Sequence, residues 1–235
     1  MITMLGLAVL AVAAFAWYAP RRAHVLPPRT ATLLLTAGAL IATAVLIAVL
    51  GFAGSTAVAQ LPPVARVGEW SPQDLRSTDP VPVWLALFCC ALLVAATVRA
   101  GHDAVLRAAA YAQLHRECRH LAPATAGQPV IVLDSEQPDA YATPAGGGRI
   151  LVTTGLLRAL SGDEQRVLFA HEAAHLRHRH VWWVLLVDLC AQANPMLHRV
   201  ARANVQATER WADEYAAATV GDRELAARAV ARAAL

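Results

Sequence analysis

Two histidines four residues apart, His171 and His175, enclose a glutamate at 172 within the run from Gln165 to Arg177. On a helix, side chains four apart lie one above the other, so both imidazoles can reach one metal ion. Glu172, beside the first of them, can then take a proton from a water activated by that ion. This His-Glu-x-x-His spacing suits zinc and hydrolysis of a peptide bond. Five residues with three fixed positions also arise by chance. The chemistry therefore requires two further things, a helix under the motif and a third ligand.

The helix is signalled by Ser161-Gly-Asp-Glu164, a capping box that starts it where His171 and His175 can ride on it, with Val167, Leu168 and Ala174 available to pack. The candidate third ligand is Glu209, 34 residues after His175, with Asp213 four further on and on the same helical face. Two carboxylates in mid-helix usually mark a solvated face, and only their place after the histidine pair makes them specific. Asn194-Pro195 is expected to begin their helix. His178 and His180 also follow the motif. An extended zinc motif would need glycine and histidine where His178 and Val181 stand, so both histidines are read as interfacial or surface residues. Upstream, Pro129–Asp134 and Arg149–Thr153 read as short strands with a tight turn region, Asp139 to Gly148, between them. They are either a hairpin packed on the motif helix or an open edge to which an extended peptide adds as a strand.

The other half of the chain is apolar. Of 235 residues, 57% are hydrophobic and 16% charged, deviations in the direction of a membrane protein. Three candidate spans run over 2–19, 31–53 and 81–98, each long enough to approach or cross about 30 Å of hydrocarbon. Arg21, Arg22 and Arg29 crowd the first loop, and Arg99, Arg107, Arg116 and Arg119 follow the third span. The positive-inside rule then puts the N-terminus outside and everything after Val98 in the cytoplasm. Residues 99–128 are expected to be a helix leaving the membrane and a linker. Within it His102, His115, Cys118 and His120 lack a paired ligand motif and are read as ordinary surface-helix residues. Val181–Val187 is too short to cross and is expected to lie against the membrane surface or in the core. Cys89 and Cys90, inside the third span, read as fillers. A net charge of +3 with scattered arginines and no lysine argues against nucleic acid.

With these residues in hand, the chain resembles integral-membrane gluzincin metallopeptidases. Their His-Glu-x-x-His and Glu-x-x-x-Asp are matched by His171, Glu172, His175, Glu209 and Asp213. Two groups are similar. The run Ala193–Arg199 resembles the BlaR/MecR-type group, whose peptidase acts on a transcriptional repressor. Tyr141-Ala-Thr-Pro and the segment Gly147–Gly155 resemble the HtpX-type quality-control and CAAX prenyl proteases, in which asparagine is usual at the position of Asp139. The resemblance covers about Pro129 to Val220. BlaR/MecR-type receptors carry a further span and, in β-lactam sensors, an external penicillin-binding domain. This chain ends at Leu235 with neither and is either a shorter relative or a fragment, so β-lactam sensing by the chain itself is not expected.

The resemblance implies one Zn2+ per chain held by His171, His175 and Glu209, with Glu172 as general base and Asp213 behind a ligand histidine. His198, Arg210 and Tyr215 are the candidates for stabilising the oxyanion. The expected fold is an α-helical membrane protein with an α+β zincin-like (gluzincin) cytoplasmic domain over 129–235, mostly α with a small sheet. The expected activity is a plasma-membrane endopeptidase that meets lipid and a protein or peptide substrate, with homo-oligomerisation open. A non-catalytic metal-binding signalling protein is the rival of another class, against which an intact Glu172 argues. Proteolysis inside the bilayer is disfavoured by Asp163, Glu164, Arg166, Arg177 and Arg179 around the motif.

Overall fold

The computed structural model describes residues 2–71, 81–121 and 130–233. The part of the expected linker over residues 122–128 lies outside them.

Three helices carry the apolar half: α1 (Ile2–Ala23), α2 (Pro28–Ala59) and, after the short α3 (Pro62–Val67), α4 (Val83–Leu121). All three long helices are apolar and long enough to cross a membrane, as the composition led one to expect. Their ends differ from the expected spans. α2 begins at Pro28, where a missing N–H costs nothing. The expected third span and juxtamembrane helix form one uninterrupted helix, because Gly101 alone among alanines and arginines does not break it. The second half follows with β1 (Val130–Leu133), β2 (Ala140–Thr143), a 3-10 turn (Ala145–Gly147), β3 (Arg149–Thr153), α5 (Thr154–Ala159) and α6 (Gly162–Arg177). It ends with α7 (His180–Ala193), a 3-10 turn at Pro195–Leu197, α8 (His198–Val220) and α9 (Arg223–Ala233).

The chain forms two compact units that do not follow it as contiguous blocks. One contains residues 1–22, 34–104 and 186–202, the other residues 23–33, 105–185 and 203–235. In the first, Leu50, Ala53 and Cys89 form a buried cluster with Leu5, Leu46, Leu85 and Leu93 packed on it. A Cβ placed on Gly54 would stand 2.7 Å from Cys90 Sγ. Close approach at a small residue is how apolar helices gain contact where lipid offers no hydrophobic contrast. Cys89 is thus a buried filler.

In the second unit the sheet has the order β1-β3-β2, β1 and β3 parallel, β2 and β3 antiparallel. The expected pair of strands is therefore parallel and not a hairpin. The hairpin is made with β2, inside what reads in sequence as turn. Four residues with alanine at two positions give no usable period-2 pattern, while Tyr141 and Thr143 suit a strand. The tight turn itself is present from Pro144 onward, with Gly146, Gly147 and Gly148 at φ 62°, 89° and 91°, values only glycine adopts freely. α6 packs against β2 and β3 on one side and α9 on another. α6, α8 and α9 share a core of Val167, Ala216, Ala217, Ala226 and Ala229.

Candidate metal and peptide-hydrolysis site

α6 begins as its sequence dictates. The Ser161 hydroxyl accepts from Glu164 N at 3.4 Å, and Glu164 Oε2 accepts from Ser161 N at 2.8 Å. Glu164 is buried, and the same Oε2 also accepts from Arg232 of α9 at 3.0 Å. The ion pair and the cap together pin the start of the motif helix and tie α9 to it.

Ten residues later the two histidines point the same way. His171 Nε2 and His175 Nε2 are 3.1 Å apart, and Glu209 Oε2 from α8 lies 3.4 Å from the first and 3.6 Å from the second. Ligand atoms about 2.0–2.1 Å from a tetrahedral zinc would be roughly 3.3–3.4 Å from each other. On the outer side, His171 Nδ1 meets Asp213 Oδ1 at 2.9 Å. His175 Nδ1 meets His180 Nδ1 at 3.1 Å. With the ring hydrogens on the two Nδ1 atoms, both Nε2 lone pairs and a carboxylate oxygen converge on one point. That convergence is repulsive unless a cation occupies it, so the donor set fits a divalent metal. Among the described residues this is the one group of three such side chains close enough to share an ion. Asp213 stands behind His171, on the side away from Glu209.

The electrostatics agree. Burial alone would lower the His171 pKa, but hydrogen bonds with Asp213 and Glu209 and the nearby carboxylate charges raise it from 6.5 to about 9. Hydrogen bonds from His171 and His175 hold Glu209 far below the usual carboxylate range. Metal binding at this site must displace a proton. Glu172 is 7% exposed. Burial pushes its pKa up, against the pull of His171 and His175, and a backbone hydrogen bond from Ala142 of β2 holds its carboxylate. A carboxylate whose pKa is raised beside a metal position is suited to receive and return a proton.

The residues open onto a cavity of about 320 Å3. His171, Glu172, Glu209 and Asp213 form one side; Pro138, Asp139 and Ala140 lead into β2; Leu156, Val167, Leu168, Ala229 and Val230 supply apolar wall. Asp139 is held by Thr153, whose N–H and hydroxyl donate to Asp139 O while its Oγ1 accepts from Asp139 N. The contribution of α9 to the cavity has no signal in the alanine-arginine sequence of that helix.

None of the oxyanion candidates lines this cavity among the described residues. Arg210 donates to Ala23 O at 3.4 Å and Leu26 O at 3.2 Å. The Tyr215 ring stands edge-on to His178 at 5.3 Å and faces the Arg177 guanidinium at 6.0 Å. His198 starts α8, in the part of the chain that belongs to the other compact unit.

The structure corrects the reading of His180 as a surface residue. It is 1% exposed, packed between His175 at 4.8 Å, His178 at 5.8 Å and Trp211 at 4.9 Å between ring centroids. Burial and the neighbouring His175 and His178 push its pKa down to about 3, so the ring is neutral. His178 is half-buried, stacked on Trp211 at 4.7 Å. The chain reverses just before His180 at Arg179, whose φ of 54° is left-handed. Helical periodicity breaks there, so no spacing rule carries His180 back toward His175.

Residues 108–198 match peptidase family M48. A protease HtpX homologue of Aeropyrum pernix is 44% identical over 62 residues, covering 26% of this chain and 19% of the relative. One from Thermoplasma acidophilum is 44% identical over 62 residues, 26% of this chain and 20% of that protein. A third, from Thermodesulfovibrio yellowstonii, is 44% identical over 54 residues, 22% and 19% of the two chains. The chain thus spans about a fifth of the length of these relatives. No solved structure matches it. Over residues 108–198 this membrane protein is thus similar to peptidase family M48, in keeping with the metallopeptidase motifs its sequence resembles. The family match ends at His198, so Glu209 and Asp213 enter the site on their own geometry.

Proposed function

We propose that the chain is a membrane-bound zinc endopeptidase whose site faces the cytoplasm. The observation that carries this is the convergence of His171 Nε2, His175 Nε2 and Glu209 Oε2 with Glu172 next to them. In this reading those three side chains hold one zinc ion, which when bound polarises the scissile carbonyl and makes water acidic enough to attack. Glu172 takes the proton of the attacking water and delivers it to the leaving amine. Asp213 accepts the His171 Nδ1–H and so fixes its tautomer and direction.

The open edge of β2 supports a peptide docked as an added strand. Thr153 N bonds Asp139 O across the β2–β3 pair, and in an antiparallel ladder bonded and unbonded pairs alternate. Ala140 and Ala142 therefore turn their backbone groups away from β3, on the side where the Ala142 amide meets Glu172. A substrate strand there lays its backbone across the metal position. The arginine-rich first loop and α4 support a cytoplasmic site with the N-terminus outside. As to substrate, the relatives named as protease HtpX homologues favour quality-control cleavage of membrane proteins. The Ala193–Arg199 run favours the regulatory alternative, cleavage of a transcriptional repressor.

The test is Glu172→Gln in the full chain in detergent or lipid. It should bind zinc as the wild type does and lose hydrolysis of an unstructured protein by at least about 100-fold, the lower end of general acid–base contributions. Unchanged cleavage would overturn the proposal. An absence of bound zinc in the wild type would favour neither peptidase nor metal-bearing scaffold.

A further inference from the structure

We infer that His180 is a positioning residue of the metal site, acting on the ligand His175, an inference that rests on the metal-binding reading above. The two Nδ1 atoms are 3.1 Å apart, so one carries the shared hydrogen and the other accepts it. For His175 to present the Nε2 lone pair toward His171 and Glu209, its hydrogen must be on Nδ1. His180 Nδ1 is then the acceptor and its own hydrogen is on Nε2. Nothing else about His180 needs a histidine. Its Nε2 is buried and has no hydrogen-bond partner among the described residues, an uncommon expense for an interior polar atom. An aliphatic or aromatic residue of the same size would fill the space without it. The retained ring nitrogen is explained by the one bond it makes, to the outer nitrogen of a ligand histidine.

The packing around His180 gives that bond a fixed direction. Its ring is perpendicular to that of His175, at 88°, which brings the edge nitrogen of one ring to the edge nitrogen of the other. Trp211 and His178 hold the His180 ring from further sides, and His178 itself is stacked on Trp211 at an interplanar angle of 23°. The Trp183 indole N–H donates to His178 O at 3.1 Å, fastening the turn that precedes His180. His180 can therefore neither swing away from His175 nor flip without displacing Trp211. Outer partners of metal-binding histidines set ring orientation and ligand basicity, and their loss costs about 10–100-fold in metal affinity.

Leucine and asparagine have nearly the same shape, and the Oδ1 of asparagine takes the position of histidine Nδ1 relative to Cγ. His180→Leu removes the acceptor, whereas His180→Asn keeps it. Zinc affinity is measured on the full chain in detergent by competition with a chromogenic chelator. The ligand field is read from the visible spectrum of the Co2+-loaded protein. His180→Leu should weaken zinc binding about 10–100-fold and alter the Co2+ spectrum, and His180→Asn should recover most of both. Equal zinc affinity in the leucine variant and the wild type would overturn the inference, as would equal losses in the leucine and asparagine variants, which would make His180 a packing residue only. Should the leucine variant fail to fold, by circular dichroism, His180→Phe fills the ring volume without an acceptor and takes its place. If the wild type itself binds no zinc, the metal-site reading fails; if it binds zinc and the variants do not separate, that reading stands and only the role of His180 falls.

Discussion

The two histidines of the site are held from behind in different ways. His171 leans on a carboxylate, Asp213, 42 residues away on another helix. His175 leans on a neutral imidazole, His180, five residues away and just past the end of its own helix. The charged partner strengthens its ligand's bond to a cation and, in the metal-free site, favours the proton that a metal has to displace. A neutral partner fixes direction and adds no charge. A site with two anions behind its histidines, besides Glu209, would bear a net negative charge once zinc is bound. With one, Asp213 and Glu209 would together balance a divalent ion, Glu172 aside.

Substitutions can break this comparison in order of size. In the proposed site Glu209→Gln removes a ligand and not an outer partner, and should cost more than the ~100-fold upper range of outer-partner losses, read as failure to retain stoichiometric zinc after gel filtration. Asp213→Asn should weaken zinc binding by about 10–100-fold, toward the upper end, and by more than His180→Leu in the same chelator competition. The reverse ranking would mean that charge is not what separates the two histidines. Ser161→Ala leaves both outer partners alone and loosens the start of the helix that carries the ligands. It should lower unfolding stability by about 0.5–2 kcal/mol in denaturant titration, with zinc affinity of the folded protein little changed.

A titration sharpens the same point. Glu164 is held below its ordinary pKa of 4.5 by the Ser161 backbone amide and hydroxyl, aided by Arg232. A depressed carboxylate contributes stability above its unfolded pKa and loses it as pH falls through its folded pKa. Wild type should therefore exceed Glu164→Gln in Tm near neutrality, the gap closing below about pH 4.5. A gap independent of pH would mean the ion pair and cap do not act through the charge. The smallest effect is expected from Arg179→Gly. Relief of a left-handed non-glycine residue should stabilise the fold by up to about 1 kcal/mol, seen as a small rise in Tm.

The difference between the two partners is also the difference between what sequence shows and what it hides. Asp213 is legible because Glu209 and Asp213 share a helical face, and the capping box at Ser161 is legible because its four residues make their bonds locally. The apolar helices follow from composition. His180 is not legible, because one residue at φ 54° resets the direction of everything after it. β2 is hidden for a related reason. Its four residues gain their order from pairing with β3, not from a pattern of their own, and the wall that α9 gives the cavity depends on a long-range tie between Arg232 and Glu164.

The bond from Arg210 to the carbonyls of Ala23 and Leu26 has a practical result for anyone preparing the protein. Residues 23–33 belong to the same compact unit as the site, and Arg210 is the neighbour of Glu209 along α8. A shortened protein that starts at residue 105 would discard the carbonyls that hold this guanidinium, together with Arg29, whose guanidinium lies 6.0 Å from the Trp211 ring. It would keep every residue of the motif and lose part of what holds the Glu209 helix in place. A preparation meant to keep these contacts includes residues 23–33.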